Sequence, residues 1–175
     1  ADILFGKVSP AGRLSTTWYK DIDKLPPKED YDIISHPRTY AYYDGEVLYP
    51  FGYGLSYTTF SYSDITLDKS SMNINGEITA TVTVTNTGKY DGSEVVQLYI
   101  RDLIGSVTRP VKELKRFTRV TLKPGEKKSV SFELPVSELA FWNLDMAKVV
   151  EPGDFGLWVA TDSQSGEEVF FKVVD

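Results

Sequence analysis

From Ile78 to Thr85 the chain reads Ile-Thr-Ala-Thr-Val-Thr-Val-Thr, a strict alternation of apolar residues with threonine. Successive side chains of an extended backbone point to opposite faces. Ile78, Ala80, Val82 and Val84 therefore share one face, with a β-branched polar row on the other. The same period returns downstream. Val96, Leu98 and Ile100 form an inward row with Gln97 and Tyr99 opposite, and Val130, Phe132 and Leu134 alternate with Ser131 and Glu133. Phe155 to Ala160 and Val169 to Val174 supply two further apolar runs. Turn signals punctuate them at Asn75-Gly76, Asn86-Thr87-Gly88, Pro124-Gly125 and Pro152-Gly153. Short strands so spaced, with no segment of helical period, predict an all-β fold, an antiparallel β-sandwich over residues 60–175. Ser137 to Asn143 reads as one helical turn that buries Leu139, Phe141 and Trp142.

The first 59 residues follow different rules. Nine of the eleven tyrosines lie before Ser63, and five of the nine prolines fall within the first 50 residues. Ala1 to Phe5 reads as the end of a helix with Gly6 as its stop. Ser9-Pro10-Ala11-Gly12 and Lys24-Leu25-Pro26-Pro27 are turn or extended signals. A compact domain rarely holds fifty-odd residues with so little regular structure. Residues 1–59 are therefore expected to be an irregular segment that wraps over and completes another domain. Its end, Leu48 to Thr58, gathers three tyrosines, a phenylalanine and two glycines. Gly52 and Gly54 permit backbone angles closed to other residues, and Pro50 fixes one angle. Rings so dense cannot stay in water and must pack, and the joint between two domains is where they are expected to do so. Tyr49, Pro50, Phe51, Tyr53, Leu55 and Tyr57 are the candidate docking residues.

Charge and composition exclude several functions. A net charge of −6 argues against nucleic acid, whose phosphates need clustered Lys and Arg. No run approaches the roughly 18 apolar residues of a membrane span. The beginning lacks both a secretory leader and an initiator methionine, so a chain cut from a longer one is expected. Without cysteine there is no disulfide, thiol nucleophile or zinc-thiolate site. His36, the single histidine, sits before Pro37 and reads as an ordinary loop residue; Asp44-Gly45-Glu46 reads as a turn rather than a calcium loop. No cofactor is expected. Arg109, Lys112 and Glu113 mark a charged loop suited to meeting a neighbouring domain or a partner subunit, which leaves a homodimer open.

Several longer motifs carry a resemblance. Tyr49-Pro50-Phe51-Gly52-Tyr53-Gly54-Leu55-Ser56-Tyr57 is similar to the linker of glycoside hydrolase family 3, and so is Val107-Thr108-Arg109-Pro110-Val111-Lys112-Glu113-Leu114-Lys115, with Leu122 to Glu126 beyond it. Upstream, Ala1 to Gly6 followed by Pro10-Ala11-Gly12-Arg13-Leu14 resembles the end of that family's α/β sandwich domain. The likeness runs along the whole chain in the family's order and is nearest to the bacterial, periplasmic-type β-glucosidases. It departs at Arg116, where the family usually has glycine.

The resemblance implies a fibronectin type III-like sandwich over 60–175, joined to a remnant of the α/β sandwich domain over 1–59. It implies a retaining glycosidase acting on terminal β-D-glucosyl residues, with β-xylosides as the other substrate class. The family's nucleophile is an aspartate in a Ser-Asp-Trp type motif of its barrel domain, a tripeptide this chain lacks. Its acid/base glutamate lies upstream of Ala1. The chain alone is therefore expected to be inactive and to scaffold the barrel and α/β sandwich domains, meeting a β-glucoside only through them, in the periplasm or outside the cell. A rival reading is a carbohydrate-binding module stacking sugars on Trp18, Tyr40, Tyr42 and Tyr43, which predicts a row of exposed rings. A plain adhesion-type sandwich would give no role to the first 59 residues.

Overall fold

The computed structural model describes residues 1–175, the side chain of Lys24 excepted. Thirteen strands follow in chain order: β1 (Trp18–Tyr19), β2 (Val47–Tyr49), β3 (Phe60–Tyr62), β4 (Thr66–Leu67), β5 (Ser71–Asn73), β6 (Glu77–Asn86), β7 (Gly92–Asp102), β8 (Glu113–Leu122), β9 (Lys127–Pro135), β10 (Phe141–Trp142), β11 (Lys148–Val149), β12 (Gly153–Ala160) and β13 (Val169–Val174). One sheet has the order β5-β13-β12-β7-β8. The facing sheet is centred on β6, with β9 along one edge and β3 and β4 along the other. The β5–β13 pair is parallel, and the other ladders are antiparallel.

The alternating rows become the core. Ile78 lies opposite Leu134, Ala80 opposite Phe132 and Val82 opposite Val130, so two predicted rows coincide face to face in register. Val96, Leu98, Ile100, Phe155, Leu157 and Val173 close over them from the other sheet. Each such side chain gains about 1.5–3 kcal/mol by leaving water. The turn after β8 has Gly125 at φ 76° and a 2.9 Å bond from Glu126 N–H to the Lys123 carbonyl. That φ is open to glycine and strained for other residues.

Two sequence expectations need correction. Val136–Leu139 forms a short 3-10 turn that buries Leu139, but residues 141 and 142 are extended in β10. Neighbours on a strand point to opposite faces, so Phe141 goes into the core while Trp142 is 61% exposed. Gln97 and Tyr99, placed opposite the core row, are also buried, because the N-terminal arm covers that side of β7. At Arg116 the β7–β8 register shifts: Leu98 pairs with Arg116 and Tyr99 with Leu114, leaving Lys115 as the extra residue of a bulge. Arg116 keeps a negative φ there, so this bulge does without glycine, and its guanidinium pairs with Glu138.

The arm, residues 1–59, is irregular but tied down. Gly6 N–H donates to the Ile3 carbonyl at 3.0 Å and Lys7 N–H to the Asp2 carbonyl at 2.8 Å, with Gly6 at φ 72°. That is the Schellman pattern of a helix end, as the glycine stop predicted. Strands β1 and β2 pair as a small ribbon. Leu14 N–H donates to the Tyr53 carbonyl and Gly52 N–H to the Leu14 carbonyl, both at 2.8 Å, so the long excursion between them is closed at its base. Within it, His36 Nδ1 lies 2.8 Å from Asp30 Oδ2.

A candidate docking surface on the aromatic arm

The aromatic segment is anchored from within before it presents anything outward. Phe51 stacks on Tyr40 at 4.1 Å, and Tyr40 meets Tyr99 of β7 edge-on at 6.1 Å. Ser163 N–H donates to the Phe51 carbonyl at 2.9 Å. Next to it, Gly52 has φ 84°, and its carbonyl accepts from Gln97 Nε2 at 3.2 Å. A Cβ at Gly52 would stand 2.2 Å from Gln97 Oε1, so both the conformation and the close approach require glycine. Gln97 is held in turn by the Tyr99 hydroxyl, which donates to its Oε1 at 2.6 Å.

A buried ion pair fixes the same arm lower down. Glu94 shares the inward row of β7 with Val96 and Leu98 and is 2% exposed. Its Oε2 accepts from Arg13 Nη2 at 2.6 Å, and its Oε1 from the Tyr62 hydroxyl at 3.1 Å. Burial pushes the Glu94 carboxyl above its ordinary value, with Arg13 pulling the other way. Asn86, fully buried, joins the arm to both sheets. Its Oδ1 accepts from Thr58 Oγ1 and Gly88 N–H, and its Nδ2 donates to the Tyr90 and Leu122 carbonyls.

On this frame the arm holds out a groove of 580 Å3 whose walls include Ile3, Leu14, Trp18, Tyr49, Tyr53 and Leu55. Tyr49 stacks on Tyr53 at 5.0 Å, and Trp18 meets Tyr49 edge-on at 6.3 Å. Trp18 is 52% exposed and Leu55 68%. Leu14 also lines an adjoining 270 Å3 pocket with Val95 and Phe117, which extends the apolar face onto β8. Of the six expected docking residues, Tyr49, Tyr53 and Leu55 come together on the groove. Pro50 and Phe51 turn toward the sandwich. Tyr57, 45% exposed, donates its hydroxyl to the Ile3 carbonyl at 2.6 Å. Trp18 and Phe117 join the face without having been expected there.

The charged loop finds its partners inside the chain. Arg109 Nε lies 3.5 Å from Asp102 and its Nη2 3.8 Å from Glu113, with the guanidinium 4.3 Å above the Phe141 ring. Burial raises the Asp102 carboxyl, and Arg109 opposes the shift. Glu113 accepts from Lys115 at 2.5 Å. Lys112 Nζ sits 4.5 Å over Trp158 and 5.4 Å over Tyr99, and burial pushes its amine down to about 8. Trp18, Tyr40, Tyr42 and Tyr43 form no common row. Trp18 faces the groove, Tyr40 stacks inward, and Tyr43 packs edge-on against Tyr19 at 5.2 Å.

Two segments of the chain match family models. Residues 1–57 match the glycosyl hydrolase family 3 C-terminal domain, and residues 94–163 the fibronectin type III-like domain. The periplasmic β-glucosidase of Salmonella typhimurium is 41% identical over 99% of the chain, which covers 24% of that protein. The chain belongs to glycoside hydrolase family 3. It is a C-terminal region of that family with its fibronectin type III-like domain. A β-xylosidase of Formosa agariphila is 46% identical over 95% of this family 3 chain, again 24% of the relative. A solved family 3 β-glucosidase of Bifidobacterium adolescentis superposes with a TM-score of 0.87 at 33% identity, over 99% of this chain and 27% of that one. A β-glucosidase of Erythrobacter marinus gives 0.86 at 39% identity, over 99% and 23%. The family 3 chain thus spans about a quarter of the length of these relatives.

Proposed function

We propose that this chain is the non-catalytic C-terminal scaffold of a retaining β-glucosidase that hydrolyses terminal β-D-glucosyl residues. Residues 1–59 are the remnant of the α/β sandwich domain with its aromatic linker, and residues 60–175 the fibronectin type III-like domain. The observation that carries this reading is the groove walled by Trp18, Tyr49, Tyr53 and Leu55, an exposed apolar face on a frame fixed by Arg13–Glu94 and Gly52–Gln97. Apolar surface presented this way on a rigid base is suited to a partner. The length of the relatives supports the rest of the same polypeptide, its barrel and α/β sandwich domains, as that partner. Substrate would be met only through those domains. The name of the Salmonella relative favours a periplasmic or secreted location.

The test uses a full-length family 3 hydrolase carrying this region. Truncating Tyr53 to alanine removes on the order of 100 Å2 of apolar contact, or about 2.5 kcal/mol. Tyr53→Ala and Trp18→Ala should each lower the melting temperature of the whole enzyme, while the folded fraction keeps its kcat on an aryl β-glucoside. Wild-type melting in both variants would overturn the docking reading.

A further inference from the structure

Between arm and sandwich lies a second concavity, of 430 Å3, which shares no lining residue with the docking groove. Thr17, Tyr40, Tyr43 and Asp44 line it from the arm, Arg101 and Lys112 from the sandwich. The chain itself holds the walls together. Val111 N–H donates to the Ala41 carbonyl at 2.7 Å, Leu114 N–H to the Tyr40 hydroxyl at 3.2 Å, and Gln164 Nε2 to the Gly45 carbonyl at 3.0 Å. A pocket fixed in this way is formed before a ligand arrives, which reduces the ordering cost of binding.

Some of its polar groups are held by the chain, as Lys112 Nζ is by the Ser165 carbonyl at 3.3 Å, and others keep hydrogen-bonding capacity to spare. Thr17 Oγ1 is cut off from water with no hydrogen-bond partner among the described residues. A polar atom so placed in a native fold calls for a bound water or ligand. At the rim, Arg101 and Asp44 are exposed and enter no ion pair among the described residues. The Tyr40 hydroxyl accepts from Leu114 and keeps its own hydrogen to give.

The sign of the field decides against an ionic ligand. Arg101 and Lys112 bring two positive charges. Asp44 lines the same space, and the carboxylates of Asp162 and Glu168 act on the Lys112 charge. Opposed charges on this scale leave no strong potential of either sign. What remains is an alternation of donors (guanidinium, ammonium, two hydroxyls) with a carboxylate acceptor, beside two tyrosine rings. A hydroxyl both donates and accepts, so a ligand dense in hydroxyls satisfies such a lining where a single ion would leave half of it unpaired.

We propose that this seam pocket binds a neutral, polyhydroxylated ligand about the size of one sugar ring, at a site separate from the docking groove. Tyr40 and Tyr43 are two of the four residues that the sequence marks for sugar stacking, and both line this pocket while packing on Phe51 and Tyr19. The volume sits toward the small end of the roughly 300–1,000 Å3 typical of ligand sites.

Isothermal titration of the chain with glucose, xylose and acetate tests the proposal. One site with a Kd of about 1 mM is expected for a single-ring sugar, from the usual yield per heavy atom, and acetate should bind more weakly. Asp44→Asn and Arg101→Gln should each weaken sugar binding about tenfold by removing a charge-assisted hydrogen bond. Neither side chain holds the fold together, and unchanged melting of both variants checks this. Leu144→Ser, at an exposed tip outside the pocket, should bind as wild type. No sugar binding by the folded wild-type chain up to about fifty times that Kd, or acetate binding tighter than glucose, would overturn the proposal. Sugar binding that survives both pocket substitutions but fails in Trp18→Ala would place the ligand on the groove and overturn it equally.

Discussion

Replacing Arg13 with methionine isolates what the arm's clasp contributes. In the native chain the Glu94 carboxylate is 2% exposed and has two partners, Arg13 Nη2 at 2.6 Å and the Tyr62 hydroxyl at 3.1 Å. The variant keeps most of the aliphatic volume and leaves a buried carboxylate with the hydroxyl alone. Breaking a buried pair from one side costs about 3–5 kcal/mol. Water reaching the vacated guanidinium position favours the lower end, about 3 kcal/mol. At about 2–4 °C per kcal/mol for a chain of this length, the melting temperature should drop by about 6–12 °C at neutral pH. The pH dependence carries a definite sign. Burial already raises the Glu94 carboxyl above its ordinary 4.5, and losing Arg13 raises it further. A group with a raised folded-state value supports the fold below its unfolded value and loses that support as pH rises through the folded one. The deficit should therefore be full at neutral pH and shrink toward 4.5. Adding Glu94→Gln removes the stranded charge and should recover part of the loss. Thermal melts followed by circular dichroism read all of this. A loss below about 1 kcal/mol at neutral pH, equal at acid pH, would refute the buried-pair argument.

Gly52→Ala forces φ 84° on a residue with a Cβ and sets that atom 2.2 Å from Gln97 Oε1, so a loss of about 2 kcal/mol is expected, with faster hydrogen exchange at Leu14 and Gly52. Asn86→Ala strands the Tyr90 and Leu122 carbonyls together with Thr58 Oγ1 and Gly88 N–H. A denaturant melt should give a loss of about 3 kcal/mol. Lys112→Met concerns alkaline pH. An amine lowered to about 8 from its ordinary 10.5 leaves the unfolded chain holding more protons between those values. Wild-type stability should therefore gain on the variant from pH 8 to 10.5, and parallel profiles would count against the buried position of this amine.

The sandwich core was legible because one local rule, alternation on a pleated strand, also governs what each face meets. Ile78 to Val84 and Val130 to Leu134 could be placed without knowing that they pair. Where two layers compete for one strand the rule falls short. Gln97 and Tyr99 carry polar tips, which suits a solvated face, yet the arm covers them and supplies partners from Gly52, far away along the chain. Trp142 failed through a choice of period, since a helical turn would bury it and a strand exposes it. The Arg13–Glu94 pair spans 81 positions, beyond any local pattern. One signal was present: Glu94 is an acid on the same face as Val96, Leu98 and Ile100, and a charge on a core row asks for a buried counterion. The aromatic segment stood out in the sequence by its density of rings. Which rings face outward depends on Trp18 and on Gly52, and so on the fold.

Because Leu14, Gly52 and Tyr53 knot the arm at its base and Trp18 pairs with Tyr49 just above it, the stretch from Asp21 to Pro37 hangs from a closed neck. Lengthening a loop whose ends are already joined costs little, about 0.6 kcal/mol for each doubling. That stretch is a cassette: its length and composition can drift among relatives, or be rewritten by an engineer, while groove and sandwich keep their shape.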